Sequence, residues 1–115
     1  MAVTIYHNPR CGTSRNVLGM LRERGIEPDI VLYLETPPDR TTLEDLLAKL
    51  KLAPRALMRR KEAIYGELGL DDPAKSDAAL IDAMVSHPIL IERPIVVTLK
   101  GAVLCRPAEK LLDML

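Results

Sequence analysis

Short apolar runs and helical periodicities alternate along the first part of the chain. Residues 3–7 alternate apolar and polar side chains, and residues 30–34 form a continuous apolar run of strand length. The apolar positions between them recur at helical spacing and predict a helix over residues 13–24, with Gly25 in the left-handed position beyond it. A continuous apolar run is typical of a strand that is buried on both faces in a parallel pair. The opening therefore predicts a right-handed β-α-β unit.

The middle of the chain is predicted to be mainly helical. Thr41 and Glu44 have the spacing of a capping box before a leucine-rich helix. Pro54 suits the first turn of a second, short helix, which would carry the arginines at positions 55, 59 and 60. A third helix is expected to begin near Ser76 or Asp77. These segments form a helical insertion between the second and third strands.

The end of the chain returns to strands. Residues 95–98 and 102–104 are short apolar runs separated by a turn that contains Gly101, which predicts an antiparallel hairpin. Pro107 suits the first position of a last helix. The apolar face of that helix would consist of Leu111, Leu112 and Leu115. The complete order, β-α-β, helical insertion, β-β-α, predicts an α/β protein with a thioredoxin-like fold.

Composition limits the classes of function. The 115 residues are predicted to form a single domain, residues 1–115, with an aliphatic core because Trp and Phe are absent. Lys+Arg and Asp+Glu both number 16, so the chain has no general attraction to nucleic acid or to a membrane surface. No apolar run approaches the roughly 18 residues of a membrane span, and no signal peptide is visible. We expect a cytoplasmic monomer with no bound metal or cofactor.

Cys11 lies where the first strand passes into the first helix. Pro9 keeps the residue before it out of the helical region, which places Cys11 at or just before the first helical turn. Free backbone N–H groups and the helix dipole favour negative charge there, so the thiol ionises to the reactive thiolate more easily. The same amides, helped by Arg10 and Arg15, would hold an oxyanion beside the sulfur. The alternative, a buried apolar filler cysteine, would not need these neighbours.

Two further residues each have two interpretations. His7 could satisfy a backbone group at the end of its strand, or its imidazolium could lower the pKa of the thiol. Pro94 stands at the start of the third strand, where a proline could simply lack a ladder N–H. Thioredoxin-like proteins place a cis-proline facing the reactive cysteine at this point, so we expect the Arg93–Pro94 peptide bond to be cis.

The spacing after the nucleophile limits the redox mechanism. A dithiol oxidoreductase would have a second cysteine where Ser14 stands, and a serine hydroxyl cannot resolve a mixed disulfide. Cys105 is the only internal candidate for a resolving thiol, but its place at the end of an apolar strand indicates packing. We therefore expect an external thiol to act as the reductant.

Six motifs distributed over the chain closely resemble the glutaredoxin-coupled arsenate reductases. They are HNPRCGTSRN at 7–16, YLETPP at 33–38, RALMR at 55–59, ELGL at 67–70, RPIVV at 93–97 and CRP at 105–107. The resemblance implies that the loop cysteine attacks arsenate while three arginines hold the oxyanion. It also implies that glutathione, as co-substrate, and the partner protein glutaredoxin supply the electrons that release arsenite.

The resemblance assigns these roles to individual residues. By motif position the nucleophile is Cys11, and the arginines that bind the substrate are Arg59, Arg93 and Arg106. The resemblance further implies that His7 and Ser14 stabilise the thiolate.

The chemistry of the substrate favours arginine independently. Arsenate at neutral pH is a charged tetrahedral oxyanion, and guanidinium groups neutralise such charge with paired donors. Each arginine could instead be a solvated surface charge. Arg93 and Arg106 flank the two strands of one hairpin, at ends that could both face the loop. For Arg59, spacing alone would equally admit Arg55 or Arg60.

Two other functions are compatible with parts of the sequence. A glutathione-dependent thiol oxidoreductase acting on protein disulfides would use the cysteine but would not require the three arginines. A redox-responsive regulator is the other alternative, because the Spx-type transcriptional regulators resemble this fold. Regulators that sense oxidation do so with a cysteine pair, and Ser14 argues against that mechanism here.

Overall fold

A computed structural model describes residues 2–115, which fall into two compact units. The first unit comprises the residues up to Thr36 together with Arg93–Leu115, and the second comprises Pro37–Glu92. The sheet belongs to the first unit and the helical insertion to the second. Within the described part of the chain, no helix has the length and apolar character that a membrane crossing requires. The single domain stays a prediction.

The first unit is built on a four-stranded sheet. Its strands are β1 (Thr4–His7), β2 (Asp29–Leu32), β3 (Ile95–Thr98) and β4 (Gly101–Leu104), in the spatial order β2-β1-β3-β4. β1 pairs in parallel with β2 and antiparallel with β3, and β3 and β4 form the expected antiparallel hairpin. The predicted order of strands along the chain is therefore confirmed.

Strand β2 departs from its prediction. It ends two residues before the apolar run does and lies at the edge of the sheet. Ile30 is 38% exposed, and Leu34, beyond the strand, is 40% exposed. The expectation of a strand buried on both faces was wrong. An apolar run indicates that the side chains can be buried. The position of the strand in the sheet decides whether neighbouring elements cover them.

Helix α1 (Gly12–Glu23) packs in the same core cluster as the sheet. Its bounds lie one residue before the predicted 13–24. Val17 and Leu21 are fully buried in this cluster with Ile5 of β1. Gly25 has φ 75°, as predicted, a backbone conformation that a side chain would strain.

The C-terminal segment Ala108–Met114 is a 3₁₀ helix preceded by Pro107. Leu111 is fully buried in the core cluster, whereas Leu112 is 45% exposed and Leu115 is only partly buried. In a helix with three residues per turn, successive side chains point about 120° apart. Leu111 and Leu112 therefore cannot lie on the same face. The predicted face of three leucines was therefore wrong.

The second unit contains the helical insertion. Its helices are α2 (Arg40–Leu50), α3 (Ala63–Glu67) and α4 (Asp77–Ser86), with 3₁₀ turns at Pro54–Leu57 and Pro88–Leu90. The start of α4 is confirmed, because Ser76 Oγ accepts a hydrogen bond from the Ala79 N–H at 3.2 Å. The buried side of α4 consists of Leu80, Ile81 and Met84.

The start of α2 differs from its prediction. Asp39, not Thr41, is the N-cap residue, and its Oδ1 accepts from the Thr42 N–H at 2.8 Å. The capping box was therefore wrong. An aspartate two residues earlier satisfies the free N–H group of the first turn, and its charge also suits the positive end of the helix.

The segment after Pro54 is not the single short helix that was predicted. The 3₁₀ turn ends at Leu57, and Met58 has an extended backbone and forms a β-bridge with Ile91. Arg59 follows this bridge outside any helix, and α3 starts only at Ala63. A pairing with a residue more than thirty positions away overrides the local helical preference, and local spacing cannot reveal it.

Candidate active site

The loop between β1 and α1 is held by hydrogen bonds that converge on Asn8. This buried residue donates its N–H to Ser14 Oγ at 3.1 Å and accepts from the Cys11 N–H through its carbonyl at 3.0 Å. Its side-chain Oδ1 accepts from the Arg10 N–H at 3.0 Å. Cys11 has an extended backbone and is the N-cap residue of α1, so its predicted position at the helix start is confirmed.

Several donors converge on the sulfur of Cys11. Burial favours the neutral thiol, but hydrogen bonds to the sulfur outweigh it, and the pKa of Cys11 is lowered. In decreasing order, the donors are the Ser14 N–H, the side chains of Arg93 and Arg106, and the Thr13 N–H. Two of these are free N–H groups of the first helical turn, and two are guanidinium groups. The nucleophilic thiolate is therefore more populated than in an ordinary cysteine.

The two arginines at the sulfur flank the β3–β4 hairpin, one before β3 and one after β4. Arg106 Nη1 lies 3.8 Å from Cys11 Sγ and donates to the carbonyl of Arg93 at 3.1 Å. Arg93 is 8% exposed, and its Nε and Nη1 have no hydrogen-bond partner among residues 2–115. Buried donors without acceptors are costly, and an anion bound beside the sulfur would supply acceptors.

The Arg93–Pro94 peptide bond is cis, as expected from the sequence. The Pro94 carbonyl accepts from the Cys105 N–H at 3.0 Å, which joins the start of β3 to the end of β4. Both arginines extend from this junction. The Arg106–Pro107 peptide bond is also cis, which the sequence analysis did not predict.

His7 and Ser14 form a buried pair, with His7 Nδ1 2.6 Å from Ser14 Oγ. Burial lowers the pKa of His7, with smaller contributions from the charges of Arg22 and Arg15, which favours the neutral ring. The ring bonds the Ser14 side chain, not the backbone group that one interpretation from the sequence expected, and the lowered pKa disfavours the imidazolium of the other. Its contact with the sulfur is indirect, through Ser14, whose N–H donates to the thiolate.

The two arginines of the loop do not reach the sulfur. Arg15 Nη1 donates to the carbonyl of Pro9 at 2.9 Å, and the Arg10 side chain is exposed. Neither is among the groups that hydrogen-bond Cys11. Their expected help in holding an anion stays a prediction. Helical side chains lean toward the N-terminus, so Arg15 meets the loop backbone instead.

Arg59 belongs to the second unit and makes its side-chain contacts there. Its Nε donates to Glu62 Oε1 at 3.0 Å and its Nη1 to Glu92 Oε1 at 2.6 Å. Arg55, an alternative from spacing, bonds other groups of the same unit. Its partners are the Tyr65 hydroxyl and the carbonyls of Leu70 and Asp72.

Cys105 is fully buried in the core cluster of the first unit. Burial raises the pKa of its thiol to about 12. A thiol with this pKa and no exposure is a poor nucleophile, which confirms the packing role expected for it.

A cavity of about 250 Å³ adjoins the loop in the first unit. It is lined by His7, Asn8, Pro9, Arg10, Leu32, Leu34 and Glu35. It opens at the carboxyl ends of the parallel strands β1 and β2, where open α/β sheets bind their ligands.

Sequence reasoning missed Asn8 as the centre of the loop. A signal was present, because an asparagine before a proline favours a turn in which its side chain accepts from the backbone two residues later. The Arg10 N–H is that donor.

Known proteins resemble this chain over its whole length. Its sequence is 56% identical over 115 residues to the "Arsenate reductase" of Rhizobium meliloti (strain 1021), covering 100% of this chain and 82% of that protein. It is 54% identical over 113 residues to the "Uncharacterized protein YfgD" of Escherichia coli (strain K12), covering 97% and 95%.

A solved structure, "Arsenate reductase from Vibrio cholerae", matches with a TM-score of 0.97 at 49% identity, covering 100% of this chain and 98% of that one. This likeness confirms the predicted thioredoxin-like α/β fold. Residues 6–114 match the family described as the ArsC family. The chain belongs to the ArsC family.

Proposed function

We propose that this protein is an arsenate reductase with the Cys11 thiolate as its nucleophile. The observation that carries the proposal is a thiol of lowered pKa beside two guanidinium groups, one of which has buried donors without an acceptor. A thiolate alone would serve many reactions. Cationic paired donors next to it narrow the substrate to an anion such as a tetrahedral oxyanion. The arsenate reductases that are more than half identical to this chain support arsenate.

In the first step, the sulfur attacks arsenic. An S–As bond forms, and one arsenate oxygen takes up protons and leaves as water, so arsenic stays in the As(V) state. Arg93 and Arg106 hold the remaining oxygens and offset their charge. Arg59 is proposed as the third arginine on the family resemblance. His7 orients Ser14, whose N–H stabilises the attacking thiolate.

The second step needs a thiol from outside the chain, because Cys105 is buried and its pKa is raised to about 12. The glutathione sulfur attacks Cys11 Sγ, the S–As bond breaks, and its electron pair stays on arsenic. Arsenite, As(III), leaves, and Cys11 is left in a mixed disulfide with glutathione. Glutaredoxin reduces this disulfide and restores the Cys11 thiol. The reduced cytoplasm is the proposed setting.

The test is arsenate-dependent oxidation of NADPH in the presence of glutathione, glutaredoxin and glutathione reductase. We expect turnover by the wild type and none by Cys11→Ser, because a hydroxyl is not ionised near neutral pH. Cys105→Ala is the matched control and should keep most of the activity, because its thiol is buried. A Cys11→Ser protein as fast as the wild type would refute the proposal.

A second assay separates arsenate reduction from disulfide exchange. Exchange uses the same cysteine but has no oxyanion to bind. In Arg93→Gln, arsenate turnover should fall much more than the reduction of a glutathionylated peptide. Equal effects on the two reactions would favour the thiol oxidoreductase.

A further inference from the structure

Asn8 connects the end of β1 to the residue that carries the reactive sulfur. It is 4% exposed and directly follows the last residue of the strand. Its carbonyl accepts from the Cys11 N–H at 3.0 Å, and its side-chain Oδ1 accepts from the Arg10 N–H at 3.0 Å. Pro9 has no N–H, so the Arg10 N–H is the first backbone donor after Asn8. Two nested turns of the loop therefore begin at Asn8.

The residue types at these positions favour both turns. Asparagine is common at the first position of a four-residue turn and proline at the second, which are the places of Asn8 and Pro9. An asparagine side chain that accepts from the N–H two residues later holds the chain in the same turn. Any residue at position 8 could make the backbone bond. The Oδ1 bond is the one that a substitution of Asn8 removes.

These turns end at the residue where α1 begins. Cys11 closes the longer turn through its N–H and, as the N-cap residue, accepts from the Arg15 N–H through its carbonyl at 3.0 Å. Its extended backbone, with φ −92° and ψ 123°, lies between these two bonds. A sulfur on an N-cap residue can accept from the free N–H groups of the first turn only while that residue keeps such a conformation. The position of the sulfur therefore depends on the turn before it.

Asn8 is also bonded to Ser14, on the helical side of Cys11. The Asn8 N–H donates to Ser14 Oγ at 3.1 Å, and Ser14 is fully buried. The Ser14 N–H is the donor that contributes most to lowering the pKa of Cys11. Asn8 is thus hydrogen-bonded both to the residue that carries the sulfur and to the residue that supplies its main backbone donor.

We propose that Asn8 is a positioning residue for the nucleophile, because its Oδ1 holds the turn that keeps Cys11 at the N-cap of α1 with its sulfur facing the N–H groups of the first helical turn. This inference rests on the proposed role of Cys11 as the nucleophile. The alternative is that the Oδ1 bond contributes only to the stability of the fold. The two possibilities differ in whether loss of Oδ1 changes the ionisation of Cys11 in protein that stays folded.

The pH dependence of Cys11 alkylation by iodoacetamide tests this difference without any substrate. In Asn8→Ala the pH of half-maximal rate should rise, and the rate at a fixed pH below this midpoint should fall about fivefold. The maximal rate at high pH should stay within about twofold of the wild type, because the thiolate is fully formed there in both proteins. Cys105 reports on folding, since it is fully buried and should stay unmodified.

Two variants of nearly the same shape isolate the acceptor. Threonine has a hydroxyl that can accept from the Arg10 N–H in place of Oδ1, although more weakly, and valine has a methyl group instead. The midpoint of Asn8→Thr should therefore lie between those of the wild type and Asn8→Val. Asn16→Ala is the matched control, because Asn16 is an exposed asparagine of α1. Its midpoint should equal that of the wild type.

Equal midpoints in the wild type and in folded Asn8→Ala would overturn the inference. If modification of Cys105 shows that Asn8→Ala is unfolded, the comparison of Asn8→Thr with Asn8→Val decides, and equal midpoints in that pair would assign Asn8 a purely structural role. Alkylation does not depend on arsenate. A Cys11→Ser protein that still reduced arsenate would therefore refute the proposed function while leaving these midpoints measurable, so the two failures are distinguishable.

Discussion

The two cysteines of this chain show how surroundings decide the reactivity of one side chain. Cys11 is partly exposed and receives hydrogen bonds from backbone amides and guanidinium groups, which lower its pKa. Cys105 lies among apolar side chains, and burial raises its pKa to about 12. The thiolate is the form that attacks, so only Cys11 is suited to act as a nucleophile near neutral pH.

The first prediction concerns the ionisation of Cys11. Alkylation of Cys11 by iodoacetamide, followed by mass spectrometry, should reach half its maximal rate at a lower pH than alkylation of an ordinary cysteine. Arg106→Gln removes a donor that favours the anion, so the midpoint should move to higher pH. Cys105 should stay unmodified in the folded protein.

Arg10→Gln is the matched control for this experiment, because Arg10 is an exposed arginine of the same loop that does not hydrogen-bond the sulfur. Its midpoint should move much less. Equal shifts in the two variants would mean that general positive charge, rather than the bond from Arg106, lowers the pKa.

For single residues, the sequence predicted their positions in the fold better than their side-chain contacts. The position of Cys11 at a helix start followed from Pro9 and the pattern after it, and the structure has it there. The partners of Arg15 could not be predicted in the same way. A long side chain has several reachable acceptors, and the folded backbone decides which one it meets.

Element boundaries were predictable where a residue constrains the backbone locally. Gly25 lies just beyond the end of α1 and has a left-handed backbone conformation, as expected. Ser76 is the expected N-cap residue of α4. Pro54 opens a short helical turn, Pro54–Leu57, as expected, but the bridge from Met58 that follows it was not predictable. The bridge pairs distant parts of the second unit, which leaves no local signature.

The cap of α2 gives a prediction at this scale. Asp39→Ala removes the acceptor of the Thr42 N–H and a negative charge at the helix start, so it should lower the melting temperature. Thr41→Ala leaves that bond intact and should have little effect. Thermal denaturation followed by circular dichroism compares the two. A larger loss in Thr41→Ala would restore the capping box that the structure argues against.

For the whole molecule, the strand order along the chain was predictable, but that order does not by itself determine the spatial order β2-β1-β3-β4. The apolar run of β2 predicted a strand buried on both faces, although β2 lies at an edge. The meeting of Cys11 with Arg93 and Arg106 likewise depends on the sheet, which joins residues more than eighty positions apart. The family resemblance, rather than periodicity, singled out these arginines.

The balance of charge over the molecule predicts where affinity for an oxyanion arises. Lys+Arg and Asp+Glu both number 16, so the chain has no excess positive charge to attract arsenate from a distance.

Arg106→Gln and Arg24→Gln change the net charge equally, but Arg24 is an exposed residue at the C-cap of α1. At physiological salt, charges more than about 8 Å apart are largely screened. We therefore expect kcat/KM for arsenate to fall about tenfold or more in Arg106→Gln and to stay within about twofold in Arg24→Gln. Steady-state kinetics in the coupled assay measures both, and similar losses would mean that overall charge, not directed guanidinium bonding, governs recognition of the substrate.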